Sequence, residues 1–488
     1  MFEIVSQQKT TLGTFGFNIF LLITINALIK PFYLFGIDRT VQNDLGAEGY
    51  GLYWVYFNFV FLFQIVGDLG VQNFSQQWIS RQRGSVQSTL PRTLGFKFVL
   101  TGLFMAVVLA FGFLQGHVQE NPFIFLLICL NFVLNSWVMF LRTKVSGLGH
   151  YTLDSVLSAL DKLIVILIMS YWIWGSVEGY DLTDFILAQT IGYGLVVLVL
   201  WIWIRVKLGR LSINWSKTSM LAILKRTYPY ALAVFLMTIF TRIDVVMLDN
   251  LLTDAAYHAG VYAGGMRLLD AANTLGLLFA GLLLPMYSNA SRSGQPPREL
   301  AVSAWHLLFS IAFPVSVICW VFGTEIAELL YTEADAYWGK VLAILMLTFV
   351  IRSTDYVFGS LLTAYERLSF MNRIFGWAVL INVGMNFWLI PMYQAEGAAY
   401  ATLISQAFVV VIFFWAAHRY ILQTGLWGAL AKGVLFATLC LLSVGFIRQI
   451  DGSWMFQVLL ILLASGILSL LLGMVQPLFA WIRIGKKE

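Results

Sequence analysis

The chain predicts an all-α integral membrane protein of about fourteen transmembrane helices, and three observations carry that reading. Apolar stretches of about 20 residues follow one another with little between them, a length that spans a hydrocarbon core of roughly 30 Å at 1.5 Å per residue. Of the 488 residues, 59% are apolar and 11% charged, against roughly 25% charged in soluble domains. Aromatic residues make up 16%, which suits rings anchored at the headgroup level. A soluble globular chain and a disordered one are both excluded. Helices are expected because each segment must satisfy its own backbone polar groups in lipid, whereas a barrel would show short alternating segments.

The spans are placed at 13–36, 50–70, 93–115, 122–143, 155–176, 184–206, 227–249, 257–282, 303–324, 339–362, 374–393, 397–418, 427–448 and 455–480. The segment Met1 to Thr11 carries Glu3 and Lys9 and has no small-residue cleavage site, so Gly13 onward reads as a retained first span rather than a signal peptide. Cys129, Cys319 and Cys440 all fall inside spans, so neither a disulfide framework nor a zinc site is expected. Pro31, Pro229, Pro314 and Pro391 lie in or at the ends of spans, where proline kinks a helix.

The loops assign an orientation. With the N-terminus inside, the cytoplasmic segments hold 18 of the 30 basic residues, including Lys9, Arg81, Arg83, Arg92, Lys144, Lys207, Arg210, Arg292, Arg367, Arg419 and Lys487. The opposite loops hold essentially only Arg39, and they are acidic, with Asp38, Asp44, Glu48, Glu120, Asp181, Glu325, Glu333 and Asp451. That asymmetry satisfies the positive-inside rule and puts both termini in the cytoplasm. The longest polar stretches are Val71–Arg92, Val206–Arg226 and Met286–Val302, all far below the roughly 40 residues an independent domain needs.

The organisation expected is an N-lobe over 1–206, an inter-lobe linker over 207–226, a C-lobe over 227–418, and two further helices with a cytoplasmic tail over 419–488. An internal repeat supports the seam. Gly49-Tyr50-Gly51-Leu52-Tyr53 opens span two and His258-Ala259-Gly260-Val261-Tyr262 opens span eight. Aligning Gly51 with Gly260 gives an offset of 209 residues, which also maps span one onto span seven. Gly397-Ala398-Ala399-Tyr400 is a weaker echo. Two six-helix halves that start on the same side make a parallel repeat, as in several transporter folds. The pattern also occurs as a common membrane-interface helix start.

Ionisable residues inside spans cost roughly 2.5–3.5 kcal/mol each on insertion scales and usually face an interior or a wet cavity. This chain carries Lys30 in span one, Asp68 in span two, Asp161 and Lys162 in span five, Arg242 and Asp244 in span seven, Arg267 and Asp270 in span eight, Arg352 and Asp355 in span ten, and Lys432 in span thirteen. Arg267/Asp270 and Arg352/Asp355 are i,i+3 pairs that can meet on one helix face, as a site or as a self-neutralising structural pair. Arg242 and Asp244 are two apart and must project to different sides. Lys30 has no local partner. Asp161, Lys162 and Lys432 are expected to reach the interface by snorkelling. Several cations near mid-membrane predict a cavity of positive potential, for which phosphate or pyrophosphate is the natural guest.

Other chemistries lack their motifs. GxxxxGK[ST], HExxH, CxxC and GxSxG are all absent. His117, His150, His258, His306 and His418 are scattered as interface residues, and no basic, aromatic surface suits a nucleic acid. No catalytic residue, metal site or cofactor is expected.

Several segments together resemble the polysaccharide transporter family, the Wzx-type O-antigen flippases of the multidrug/oligosaccharidyl-lipid/polysaccharide exporter superfamily. These are Gly46-Ala47-Glu48-Gly49-Tyr50-Gly51-Leu52-Tyr53, Phe61-Leu62-Phe63-Gln64, Asp68-Leu69-Gly70, Ser146-Gly147-Leu148-Gly149-His150-Tyr151, Thr241-Arg242-Ile243-Asp244, and Tyr262 with Arg267-Leu268-Leu269-Asp270. The resemblance implies a non-enzymatic flippase that moves an undecaprenyl-diphosphate-linked oligosaccharide from the cytoplasmic to the outer leaflet. It would work by alternating access through a cationic central cavity, as a monomer in the cell inner membrane. Carried onto this chain, Lys30, Arg242, Arg267 and Arg352 would contact substrate, and Asp68, Asp244, Asp270 and Asp355 would couple to H+ or Na+. A lipid II flippase is the nearest alternative. A drug/cation antiporter of the same superfamily usually has twelve spans. A membrane glycosyltransferase or ligase would need a large outer loop, and the longest here, around Ile37–Gly49 and Glu325–Trp338, hold under about 15 residues. A non-transporting scaffold has no need of buried charges.

Overall fold

The computed structural model describes residues 28–72, 86–175, 179–209, 212–294, 296–422 and 426–475. Every regular element among them is helical. Residues 13–27 of the first expected span, the basic residues Lys9, Arg81, Arg83, Arg210, Arg483, Lys486 and Lys487, and the tail from 476 lie outside the described residues.

After a helical stretch that begins at Leu28, fourteen α-helices follow in order among the described residues: α1 Arg39–Phe63, α2 Val86–Gln115, the one-turn α3 His117–Glu120, α4 Pro122–Gly147, α5 Tyr151–Trp174, α6 Leu182–Leu208, α7 Lys217–Leu251, α8 Ala255–Ser293, α9 Arg298–Val321, the short α10 Gly323–Leu330, α11 Ala336–Ala364, α12 Leu368–Ala417, α13 Leu426–Ile447 and α14 Trp454–Leu471. Among the described residues, eleven helical stretches are long and apolar enough to cross a membrane. Two of them, Leu28–Gly67 and Leu368–Leu422, contain a break, at Gly46 (φ 69°) and Gln394 (φ 54°). Counting each broken stretch twice brings eleven to thirteen, and the 35-residue α7 stands outside that set. Local chemistry marks the helix starts. Asp181 and Asp184 form a reciprocal capping box at α6, the Asp335 carboxylate accepts from the Tyr337 and Trp338 amides at α11, and the Ser453 hydroxyl accepts from the Phe456 amide at α14.

Three expectations need correction. Ile37–Gly49 is no loop: the chain is helical from Leu28, through a π-helical turn over Tyr33–Asp38 that runs into α1, with Gly46 as its one interruption. The positive φ there suits glycine alone, and the Ala47 amide released by the break donates to Glu333 Oε2 at 2.7 Å. More than half of the expected linker 207–226 is helical, because α6 runs to Leu208 and α7 begins at Lys217. Lys144 is not a loop residue: it lies in α4 and is 1% exposed.

The chain divides into two compact units, one of residues 1–45 and 56–235, the other of 46–55 and 236–488. In the first, Leu94, Leu100, Phe140, Leu141, Leu200 and Ile204 form a continuous apolar core from α2, α4 and α6. His117 sits in a cage of Tyr56, Phe59 and Phe125, with ring centroids 4.9, 4.9 and 5.9 Å away. In the second, Leu283, Tyr287, Trp305, Leu308, Phe358 and Leu361 pack α8, α9 and α11 together.

The second unit also contains Gly51 and Gly260, the two glycines that align in the repeat. A Cβ on Gly51 would overlap the Ala256 carbonyl, and a Cβ on Gly260 would overlap the Ala47 carbonyl. Ala47 and Ala256 are themselves 209 residues apart, so the offset that equates the glycines also exchanges their partners. A contact in which residue i meets j and the equivalent of j meets the equivalent of i is the signature of a two-fold relation. The Gly-x-Tyr repeat is therefore a packing device, in which small residues let two helix backbones touch.

Candidate functional site

The segment Gly46–Val55 of α1 belongs with α7, α8, α11 and α12, and these build two adjoining polar clusters in the second unit. The first is cationic. The Arg267 guanidinium lies 4.5 Å from the Trp54 ring centroid and donates from Nη2 and Nε to the Tyr50 hydroxyl at 2.7 and 3.2 Å. The Arg242 guanidinium lies 6.0 Å from the same ring. Its Nη2 is 3.6 Å from Asp270 Oδ2, with the two side chains 18% and 34% exposed. Two guanidinium groups thus border one indole, and that of Arg242 also pairs with a carboxylate. The i,i+3 partners Arg267 and Asp270 do not pair with each other, since each takes a partner from another helix. Arg352 and Asp355 are half-buried and within electrostatic range of each other and of Tyr356, which also feels Asp270. Among the described residues they form no ion pair. They extend the charged face along α11.

The second cluster surrounds Asp244, which projects away from Arg242 as their spacing dictates. Asp244 is 2% exposed. Asn382 and Asn386 donate to its Oδ1 at 3.0 and 2.7 Å, and the Tyr262 hydroxyl donates to Oδ2 at 2.9 Å. Thr402 also donates to Oδ2. The ring closes on itself, with Asn386 donating to Asn382 Oδ1 at 3.1 Å and the Tyr262 and Thr402 hydroxyls 3.2 Å apart. Four donors on a buried carboxylate compensate the loss of water. The same groups offer a small cation a carboxylate, two hydroxyl oxygens and, after rotation of the amides, two carbonyl oxygens, the hard donor set such ions prefer.

Lys30 and Asp68 fall in the first unit. Lys30 is exposed and lies within electrostatic range of Asp161, Arg142 and Lys162. Asp161 and Lys162 pair at 3.5 Å, and the Lys162 ammonium lies 4.6 Å from the Tyr33 ring and donates to the Tyr193 hydroxyl at 3.1 Å. Asp68 faces Lys97 across 3.9 Å. Lys432 donates to the Gly473 carbonyl at 3.5 Å.

Sequence reasoning overlooked Tyr50 and Trp54 as side chains of the site, although both stand beside the glycine motif. It also overlooked Tyr262, Asn382, Asn386 and Thr402 around Asp244. Asn382 and Asn386, two amides at i,i+4 in an apolar span, carried the legible signal.

Comparison with known proteins agrees with this architecture. The solved structures it resembles include lipid II flippase MurJ in an inward closed conformation (TM-score 0.65, 14% identity, 92% of this chain and 98% of that one). A multidrug resistance MATE family transporter of the MOP superfamily in an inward-facing conformation is similar as well (0.64, 13%, 82% and 97%). So is a MOP superfamily transporter from Pyrococcus furiosus, described as having a binding pocket of reversed polarity (0.57, 13%, 84% and 95%). Identities this low speak for the fold alone. A comparison with curated protein sequences finds no matching relative. Residues 16–291, more than half of the chain, match the family described as polysaccharide biosynthesis protein. The chain belongs to that family and is built on the transporter fold of the MOP superfamily.

Proposed function

We propose that this protein is a flippase for an undecaprenyl-diphosphate-linked oligosaccharide, carrying the headgroup from the cytoplasmic to the outer leaflet of the inner membrane by alternating access between its lobes. The observation that carries this reading is the pair of guanidinium groups, Arg242 and Arg267, gathered around Trp54, with Asp270 beside Arg242. A diphosphate carries two to three negative charges and planar sets of oxygens that guanidinium forks match. The 3.6 Å Arg242–Asp270 pair is loose and partly exposed, so an entering phosphate can replace the carboxylate at small cost. Arg352 stands ready to extend the contact, and Lys30 is assigned to the substrate path of the other lobe. Asp244 and its ring bind the coupling cation, and Asp355 and Asp270 tune the charge beside it. The protein acts as a monomer, with both termini cytoplasmic, and performs no covalent chemistry.

Export of a surface glycan tests the reading. In cells whose own flippase gene is deleted, the wild-type chain should restore surface polysaccharide, and Arg242→Ala or Arg267→Ala at equal expression should not. Wild-type export by both variants would overturn it. The second reading, a lipid II flippase, is favoured by the coverage of the MurJ fold. Rescue of growth in cells depleted of their lipid II flippase, without restoration of surface glycan, would select it.

A further inference from the structure

The first unit contains two cations that the site above does not use. Lys97 lies on α2 with its side chain fully buried. Its Nζ donates to the Gly67 carbonyl at 2.8 Å and to Ser136 Oγ at 2.5 Å, and lies 3.9 Å from Asp68 Oδ1. Lys144, on α4, points its Nζ at the Phe140 ring from 4.5 Å, and Lys97 stands 5.9 Å from the same ring. Asp68, at the end of α1, is the carboxylate that acts on both lysines. Two ammonium groups therefore lie within electrostatic range of Asp68, in an interior where charge is costly to hold.

Two features make this charge removable. The first is chemical. When Lys97 is protonated, its ammonium donates to Gly67 and Ser136. When it is neutral, the Ser136 hydroxyl turns and donates to the Nζ lone pair, while Nζ still donates to the Gly67 carbonyl. Both states are satisfied, which an arginine could not match because guanidinium keeps its proton. The second is spatial. A cavity of about 10 Å³, the room of one water, is lined by Gln64, Gly67, Thr101 and Ser136 together with two phenylalanines and a valine, and so includes both residues that Lys97 Nζ bonds.

Gly67 closes the 3-10 turn Gln64–Gly67 that ends α1, and the chain leaves it through Leu69 at φ 40° and Gly70 at φ 77°. The Lys97 ammonium thus fastens a strained exit from α1 to α2 and α4, and its attraction to Asp68 adds to the tie only while the proton is present. We propose that Lys97, with Asp68 and Ser136, is a proton-binding site that couples protonation to the attachment of the end of α1. This deepens the transport reading by naming a coupling proton site separate from Asp244, yet its test needs no substrate.

The test is potentiometric titration of the full-length protein in nanodiscs. Over the neutral pH range the wild type is expected to take up one proton per chain more than Lys97→Arg, whose charge is fixed, and than Lys97→Met, which has no base. Lys144→Arg should keep the extra proton. Equal uptake by wild type and both Lys97 variants overturns the proposal, as does loss of the proton in Lys144→Arg alone. Should the Lys97 variants fail to fold, Ser136→Ala gives the reading: without the hydroxyl the ammonium loses a charge-assisted acceptor, a larger loss than the bond the neutral amine gives up, so the uptake must shift to lower pH, and an unshifted curve refutes the site. None of these outcomes depends on export, so failure here leaves the roles of Arg242 and Arg267 to be decided on their own.

Discussion

Replacement of Asp244 separates its structural role from its transport role. In Asp244→Ala, four donors lose their acceptor. Tyr262 and Thr402 can turn to each other across 3.2 Å, and Asn386 keeps its 3.1 Å bond to Asn382, so about two donors remain unsatisfied. At about 1–3 kcal/mol per buried orphan, the loss is roughly 2–6 kcal/mol, and the protein should express poorly or melt early. In Asp244→Asn, the amide oxygen takes the place of Oδ1 and still accepts from Asn382 and Asn386. The amide nitrogen takes the place of Oδ2, and the Tyr262 and Thr402 hydroxyls turn to accept from it. Shape and pairing survive, and the expected cost is about 1 kcal/mol from the weaker, uncharged bonds. The negative charge that would hold a cation is gone. Thermal stability should therefore be near wild type while export loses its dependence on the Na+ or H+ gradient and falls at least about ten-fold. Size-exclusion thermostability measures the first and glycan export at varied ion gradients the second. A folded Asp244→Asn that exports at the wild-type rate with the same gradient dependence would refute the coupling role.

Further outcomes follow from the packing. Gly260→Val places a branched side chain where even a Cβ overlaps the Ala47 carbonyl; overpacking of this kind costs about 1–3 kcal/mol, seen as a lower melting temperature. Gly281→Ala, with nothing near its Cβ, is the matched control and should melt like wild type. Gly46→Ala should destabilise by about 1 kcal/mol or more through its positive φ, and Glu333→Gln should weaken the cap on Ala47 by up to about 1 kcal/mol; additive losses in the double variant would show that the two do not act together. Burial lowers the His117 imidazole below its ordinary value, so it folds as the neutral base. The stability this gives is complete above about pH 6.5 and is lost as the pH falls below that value, because the unfolded chain then binds the proton more readily. His117→Phe should remove that acid sensitivity from a melting series, and an unchanged pH profile would contradict it.

The helices were legible because hydropathy records the bilayer directly, and the glycine repeat was legible because its offset is a matter of spacing. The break at Gly46 was hidden, since Ile37–Gly49 carries enough polar residues to read as a loop, and only Glu333, distant in sequence, shows how the broken helix is satisfied. Lys144 was misread for the opposite reason: it follows an apolar span at the place where a basic loop begins, and only the fold buries it beside Phe140. Charge spacing foresaw that Arg242 and Asp244 diverge. It could not foresee that Asp270 turns from Arg267, its neighbour on α8, to Arg242 on α7, because partners on other helices are set by packing. The polar ring around Asp244 draws on four helical segments and was visible only in part, through the two asparagines of α12.

Binding of the lipid carrier tests the central claim most directly. Purified protein should bind undecaprenyl diphosphate, measured by native mass spectrometry or calorimetry, more tightly than undecaprenyl monophosphate. Each charge-assisted hydrogen bond to the phosphates contributes about 1.5–3 kcal/mol, so Arg242→Ala and Arg267→Ala should each weaken the diphosphate complex about ten- to a hundred-fold. Unchanged affinity in both folded variants, or no preference for the diphosphate, would contradict the account.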